Sequence, residues 1–183
     1  MRAPRIVIPI LLIAALPGVA EQHHRDPLND KEIDKIRDSA LDPEARLKLY
    51  IEFARARLEK LQQVRADVKS PDQDQLTRDA LQDFLDVYDE LGTNVDTFAD
   101  RGDDLRKALK PVIEADTEFG GKLRAFKSSL GGRAESAKDF TFLLGSALEA
   151  IDAGMKDHRD LLAEQEETFK NKKRDKKHQA KSE

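Results

Sequence analysis

The chain of 183 residues has the length of a single domain, with 37% charged residues, 5% aromatic residues, no Cys and no Trp. This composition is typical of helices with narrow apolar faces and wide solvated faces, and the lack of Cys excludes disulfides, thiolate metal sites and a Cys nucleophile. The net charge of −4 is small, so the distribution of charge along the chain is more informative than its total.

Residues 1–20 have the pattern of a secretory signal peptide. Arg2 and Arg5 precede an apolar run from Ile6 to Ala20, and small residues at positions 18 and 20 suit signal peptidase. This run of fifteen residues is shorter than the ~20 residues needed to cross a bilayer. We therefore expect cleavage near Ala20 and export to the periplasm or the exterior; an uncleaved membrane anchor is the alternative.

Two helices are predicted from start signals early in the mature chain. Asn29, followed three residues later by Glu32, has the pattern of a capping box at the start of a short helix. Asp42 as N-cap and Pro43 at the first helical position begin a second helix, which runs to about Lys69. Its apolar stripe consists of Leu47, Ile51, Ala54, Leu58, Leu61 and Val68.

The stretch from Leu81 to Leu130 carries one apolar stripe whose steps alternate between three and four residues. This spacing predicts a helix with one side facing partner helices. Because the stripe keeps its phase across Gly102, the sequence favours one continuous helix, kinked at Pro111. Gly102 followed by Asp103 is also typical of a helix end and a new N-cap, so a turn at Gly102 is the alternative.

Two polar residues interrupt apolar stripes. Asp116 lies within the stripe of the central stretch, where a buried carboxylate needs a cationic or hydrogen-bonding partner. We interpret it as a residue that fixes the register of the helices, the alternative being one half of a polar site. His158 lies on the stripe of the last helix, where small residues such as Gly154 permit close approach to a neighbouring helix.

The last helix and the C-terminal tail differ in charge. The central stretch ends at Leu130, and the last helix begins near Glu135 and keeps its apolar stripe to Phe169. Residues 170–183 contain seven basic and two acidic residues, a net charge of +5, whereas residues 21–169 carry −11. Because the tail has no apolar residue larger than Ala to bury, it is predicted to be disordered. Its candidate contacts with an anionic surface are Lys170, Lys172, Lys173, Arg174, Lys176 and Lys177; a solvated end that binds nothing is the alternative.

These patterns predict an all-α fold. The expected architecture is an elongated, antiparallel, coiled-coil-like bundle of three long helices plus a short N-terminal helix, or a four-helix bundle if the chain turns at Gly102. The second helix is expected to pack on the first half of the central stretch, and the last helix on its second half. The predicted organisation is a signal peptide (1–20), a helical domain (21–169) and a basic tail (170–183). A homodimer is expected, because thin bundles often complete their packing by pairing.

No motif of catalysis is present. The sequence lacks GxSxG, a phosphate-binding Gly-rich loop and HExxH, and one histidine outside the termini cannot supply the paired motifs of di-iron bundles. We therefore expect a non-enzymatic exported protein without cofactor or metal, acting through an unknown protein partner or the envelope surface. The alternative is a periplasmic holdase-like chaperone that uses Leu49 and Phe53, and a ligand- or metal-binding bundle is the third. Nucleic acid is not expected, because the body is acidic.

Overall fold

The computed structural model describes residues 27–67, 70–131 and 138–179, so the predicted signal peptide lies outside the described residues. These residues form five α-helices and no strand. The helices are α1 (Asp30–Asp38), α2 (Pro43–Ala66), α3 (Gln73–Asp100), α4 (Leu109–Leu130) and α5 (Lys138–Gln179). They pack against one another as a helical bundle, which confirms the all-α prediction.

The starts of α1 and α2 confirm the predicted caps. The Asn29 side chain accepts hydrogen bonds from the backbone of Lys31 and Glu32, both at 3.1 Å, and the Glu32 carboxylate accepts from the Asn29 amide at 2.9 Å. Asp42 accepts from the Ala45 amide at 3.0 Å at the start of α2. These side chains satisfy amides that have no partner within the helix. The starts of α1 and α2 could therefore be predicted from a few neighbouring residues.

The predicted continuous helix through Gly102 is wrong, and the alternative with a turn at Gly102 is correct. Gly102 has φ 75°, a conformation that costs Gly little because it lacks a Cβ. Its amide donates to the Ala99 carbonyl at 2.8 Å, and the Asp103 amide donates to the Phe98 carbonyl at 3.1 Å. This pair of bonds is a Schellman motif, which ends α3. The stripe keeps its phase because Leu105, in the connection, is itself buried in the core.

The predicted kink at Pro111 is also wrong, because Pro111 lies in the first turn of α4. Amides of the first turn have no intrahelical partner, so the missing N–H of Pro111 costs no hydrogen bond there. The end of α4 at Leu130 is as predicted and is followed by Gly131 with φ 49°. The predicted start of the last helix falls in residues 132–137, outside the described residues.

The four long helices form a ring in the order α2, α3, α5, α4. α2 runs antiparallel to α3, with Arg46 bonded to Asn94 at 2.6 Å near one end and Lys60 3.2 Å from Asp83 further along. α5 packs antiparallel on α4, since Phe126 meets Phe140 and the earlier residue Asp116 meets the later residue His158. α5 also lies beside α3. The predicted pairing of the second and last helices with the two halves of the central stretch is therefore confirmed. α3 and α4 occupy opposite corners, so residues 101–108 cross one end of the bundle.

The core follows the predicted stripe with one exception. The spacing of the stripe places Phe84, Leu91, Phe98, Leu105 and Phe119 in the core, and all five are buried. Phe126 is only half-buried. It stacks on Phe140 of α5, with ring centroids 5.9 Å apart, where the helices of the bundle end.

α5 continues to Gln179, so residues 170–179 are helical where the sequence predicted a disordered tail. We call this segment the α5 extension. It has no apolar core of its own, but it continues a helix that is already formed and therefore needs no separate nucleation. Lys, Arg and Gln are good helix formers, and basic residues at a helix C-terminus interact favourably with the helix dipole.

Candidate functional site

Three polar side chains from three helices meet in the core. Asp116 of α4 is 0% exposed, and Tyr88 of α3 and His158 of α5 are each 5% exposed. The Tyr88 hydroxyl donates to Asp116 Oδ1 at 2.7 Å, and His158 Nδ1 lies 2.9 Å from Asp116 Oδ2. The tautomer of His158 that carries its hydrogen on Nδ1 can donate this second bond to the carboxylate oxygen. We call these residues the Asp116 cluster.

Gly154 of α5 makes room for the Tyr88 ring. A Cβ at position 154 would lie 2.5 Å from the Tyr88 hydroxyl oxygen and 3.3 Å from the adjacent ring carbon. The ring also stacks on Phe84, with centroids 5.9 Å apart, and meets Phe119 edge-on at 6.5 Å. The close approach predicted for Gly154 is thus present, and it directs the Tyr88 hydroxyl towards Asp116.

The surroundings keep the Tyr88 hydroxyl protonated. Burial, followed by the charge of Asp116 and the hydrogen bond to it, raises the pKa of Tyr88 well above its ordinary value. Tyr88 therefore acts as a hydrogen-bond donor to Asp116, and its hydroxyl does not ionise near neutral pH. A fully buried carboxylate is costly unless it is hydrogen-bonded, and Tyr88 and His158 supply one partner for each of its oxygens.

His158 also lines a groove of about 480 Å³ between α3 and α5. Asp96, Asp100 and Asp157 lie along the same groove, together with apolar residues and Gly154. A His held by a buried Asp has the arrangement of a general base. However, the lining of this groove contains no Ser, Thr, Cys or Lys that such a base could activate as a nucleophile. What the geometry shows is that Asp116 of α4 is bonded in the core to one residue of α3 and one of α5.

The Asp116 cluster was only partly predictable. The sequence predicted that Asp116 needs a cationic or hydrogen-bonding partner, and the structure shows that its partners are Tyr88 and His158. The sequence pattern did not single out Tyr88 from the apolar stripe of the central stretch, and it assigned no partner to His158. The available signal was that all three polar groups lie on core-facing positions of different helices. Because buried polar groups are almost always paired, they were candidates for one another.

The α5 extension begins where α5 leaves the bundle. Gln165 holds the connection between α3 and α4, because its side chain accepts from the Leu105 amide at 2.8 Å and donates to the Asp103 carbonyl at 3.1 Å. Phe169 follows Gln165 by one turn of α5, and the centroid of its ring lies 4.1 Å from the Arg106 guanidinium. These contacts fix the base of the extension against the end of the bundle.

The predicted surface-contact residues all lie on the α5 extension. The side chains of Lys170, Lys172 and Arg174 are exposed, and Lys172 Nζ lies 5.2 Å from the centroid of the Phe169 ring. Lys173, Lys176 and Lys177 belong to the same helical segment. Residues 170–179 contain six basic residues and one acid, so their net charge is +5. At 1.5 Å per residue, this charge extends over about 15 Å of helix.

Within residues 27–67, 70–131 and 138–179, no group of three or more His, Asp or Glu side chains is arranged to hold a metal ion. No helix in this described part of the chain is both long enough and apolar enough to span a bilayer. Comparisons of the chain with protein-family models, curated proteins and solved structures found no match.

Proposed function

We propose that the protein is exported, has no enzymatic activity, and acts by attaching to an anionic surface of the cell envelope through the α5 extension. The observation that carries this proposal is the projecting basic helix, whose base is fixed by Gln165 and Phe169. The lack of a nucleophile beside His158 supports a binding role rather than a catalytic one.

The charges of the two parts of the protein favour attachment by the extension alone. Residues 21–169 carry −11 and would be repelled by an anionic surface, whereas the α5 extension carries +5. Near anionic lipid, each Lys or Arg contributes about 1 kcal/mol. Six such residues on one helix therefore give reversible attachment. We take anionic phospholipid headgroups as the surface.

Flotation or sedimentation with vesicles tests this proposal. The mature chain is compared with a variant carrying Lys170→Gln, Lys172→Gln and Arg174→Gln, on vesicles with and without anionic phospholipid. The matched control replaces three exposed lysines on the body of the bundle: Lys48→Gln, Lys107→Gln and Lys127→Gln. It removes the same charge from a different place.

The expected result is binding to anionic vesicles that the extension variant loses and the control retains. Binding should also fade with added salt, because exposed charges are screened beyond about 10 Å at 0.1 M ionic strength. Equal binding by the two variants, or binding to neutral vesicles, would contradict the proposal.

The holdase-like alternative receives no support from the two residues that suggested it. Phe53 is buried in the core, and Leu49 packs against the core as a half-buried residue. Neither is available as an exposed contact for an unfolded client.

The expected homodimer stays a prediction. Phe142 of α5 is a large apolar side chain that is 79% exposed, and its substitution tests this prediction. Light scattering of the protein with and without Phe142→Ser tests whether a dimer forms through this residue.

A further inference from the structure

A groove of about 420 Å³ lies between the C-terminal halves of α2 and α4. The two helices run parallel: Arg55 of α2 meets Glu118 of α4, and further along both helices Arg65 meets Phe126. The volume lies within the range of roughly 300–1,000 Å³ that small-molecule sites occupy. The floor of the groove is formed by buried leucines of the core: Leu58, Leu61 and Leu123.

The residues that line this α2/α4 groove carry a net positive charge, opposite in sign to the net charge of the protein as a whole. Arg65 and Lys122 lie on its rim, and its lining contains no acidic residue. The groove between α3 and α5, by contrast, is lined by three aspartates and no Lys or Arg. An apolar floor with a basic rim is complementary to a ligand that has an apolar chain and a negatively charged head.

Arg65 is held at the rim by contacts on two sides. Its guanidinium lies 5.7 Å from the ring centroid of Phe126 and 5.6 Å from that of Phe140. Its Nη1 atom lies 3.5 Å from a carboxylate oxygen of Asp74. A side chain that is already ordered loses less conformational entropy when a ligand binds. Arg65 is therefore preorganised as the first basic contact.

Lys122 provides the second basic contact. Its Nζ atom lies 2.7 Å from Glu118, and the same carboxylate accepts hydrogen bonds from Arg55. Lys122 thus shares its anion with a second cation. An ammonium group has three donors, so Lys122 can donate to a ligand while it keeps its contact with Glu118.

We propose that the α2/α4 groove binds one long-chain monocarboxylate, such as a free fatty acid. The acyl chain lies over the leucine floor, and the carboxylate lies between Arg65 and Lys122, since the planar guanidinium matches the geometry of a carboxylate. This inference does not rest on the proposed function. Phe140, beside the groove, and Lys170, where the extension starts, are about 45 Å apart along α5 at 1.5 Å per residue.

Calorimetric titration of the mature chain with dodecanoate, below its micellar concentration, tests the chemistry of the ligand. Dodecyltrimethylammonium has the same chain with a cationic head, and butyrate has the same head with a short chain. We expect saturable binding of one dodecanoate per chain, and dissociation constants at least about tenfold higher for both comparison compounds. Absence of saturable dodecanoate binding, or equal binding of the cationic compound, would overturn the proposal.

Paired variants test the place of binding. Lys122→Glu reverses a rim charge and Ser129→Trp fills the groove, so each should raise the dodecanoate dissociation constant at least about tenfold. Lys127→Glu and Ser128→Trp make the same changes at exposed positions of α4 outside the lining and should leave binding unchanged. Circular dichroism checks that each variant is folded. Binding that Ser129→Trp and Lys122→Glu both leave intact would overturn the proposal.

Light scattering of the same samples examines a second copy of the chain as the occupant. We expect the oligomeric state to be the same with and without dodecanoate and in Ser129→Trp. A dimer that Ser129→Trp dissociates and that prevents dodecanoate binding would show that the groove is covered by another copy. That result would replace the ligand proposed here.

Discussion

Asp116 and Glu118 are carboxylates two residues apart on α4, and their surroundings are opposite. Asp116 faces the core, is 0% exposed and bonds to Tyr88 and His158. Glu118 faces α2 at the surface, with a side chain that is 33% exposed. It accepts from Arg55 at 2.8 Å and contacts Lys122 at 2.7 Å. Both residues tie α4 to other helices, but only Asp116 does so away from water.

The comparison indicates which of the two ties the bundle depends on. Removal of a partner in the core leaves the remaining donors buried without an acceptor, which costs far more than the net value of the bond. Removal of a partner at the surface lets water take its place, and exposed ion pairs contribute only about 0.2–1 kcal/mol. We therefore expect the stability of the bundle to depend much more on Asp116 than on Glu118.

The largest effect is expected from Asp116→Ala. This change removes the acceptor of both Tyr88 and His158, and each buried donor left without a partner typically costs about 1–3 kcal/mol. The free energy of unfolding in urea measures the loss. Asp116→Asn keeps an acceptor for Tyr88, so it should cost less than Asp116→Ala. If Asp116→Ala and Glu118→Ala lowered stability equally, the contrast between core and surface would be wrong.

The next effect is expected from Gly154→Ala, which adds a Cβ against the Tyr88 hydroxyl. Tyr88 cannot move aside without losing its bond to Asp116, so the change should lower the free energy of unfolding by about 1–3 kcal/mol. Gly92→Ala is the matched control, because a Cβ there meets no atom within 4 Å. Since Ala is the better helix former, Gly92→Ala should raise stability by up to ~1 kcal/mol. If both changes raised the free energy of unfolding, the Tyr88 hydroxyl would not be packed against Gly154.

Helix starts and ends were largely predictable because they depend on neighbouring residues. The Asn29 and Asp42 caps and the stop at Gly131 follow from side-chain and backbone chemistry within one turn. Gly102 was misjudged because the phase of an apolar stripe is a one-dimensional signal. Leu105 falls in phase although it lies in a connection, and the pattern cannot distinguish a buried loop residue from a helical one.

The Asp116 cluster was less predictable because it depends on the order of the helices. Tyr88 and His158 both reach Asp116 because α5 lies beside both α3 and α4, with α3 and α4 at opposite corners of the ring. No local pattern encodes that order. The same limit applies to the α2/α4 groove, whose two basic residues belong to helices that are not consecutive in the chain. Sequence therefore identified the polar residue Asp116, and packing identified its partners.

A third effect is expected from Tyr88→Phe, which removes one of the two donors to Asp116 and keeps the ring. A hydrogen bond to a charged group typically contributes about 1.5–3 kcal/mol, so the loss should be smaller than that of Asp116→Ala. Because the raised pKa of Tyr88 keeps its hydroxyl protonated, the loss should be the same at pH 7 and pH 9. A loss that disappears at pH 9 would indicate that Tyr88 ionises in the folded protein.

The smallest loss of stability is expected from Glu118→Gln. This loss can be recognised by its dependence on pH. The hydrogen bonds from Arg55, followed by that from Lys122, lower the pKa of Glu118 from 4.5 to about 2. Because its pKa is lower in the folded protein than in the unfolded chain, the Glu118 carboxylate contributes stability above about pH 4.5, and that contribution is lost as the pH falls towards 2.

The difference in unfolding free energy between the natural protein and Glu118→Gln should therefore be constant from pH 6 to 8, at about 0.2–1 kcal/mol, and shrink at acidic pH. Added salt should reduce it, since the pair is partly exposed. Glu114→Gln, an exposed residue one turn earlier on α4, is the control and should show a smaller difference. A difference for Glu118→Gln that persists unchanged at pH 2.5 would mean that Glu118 contributes through packing rather than through its charge.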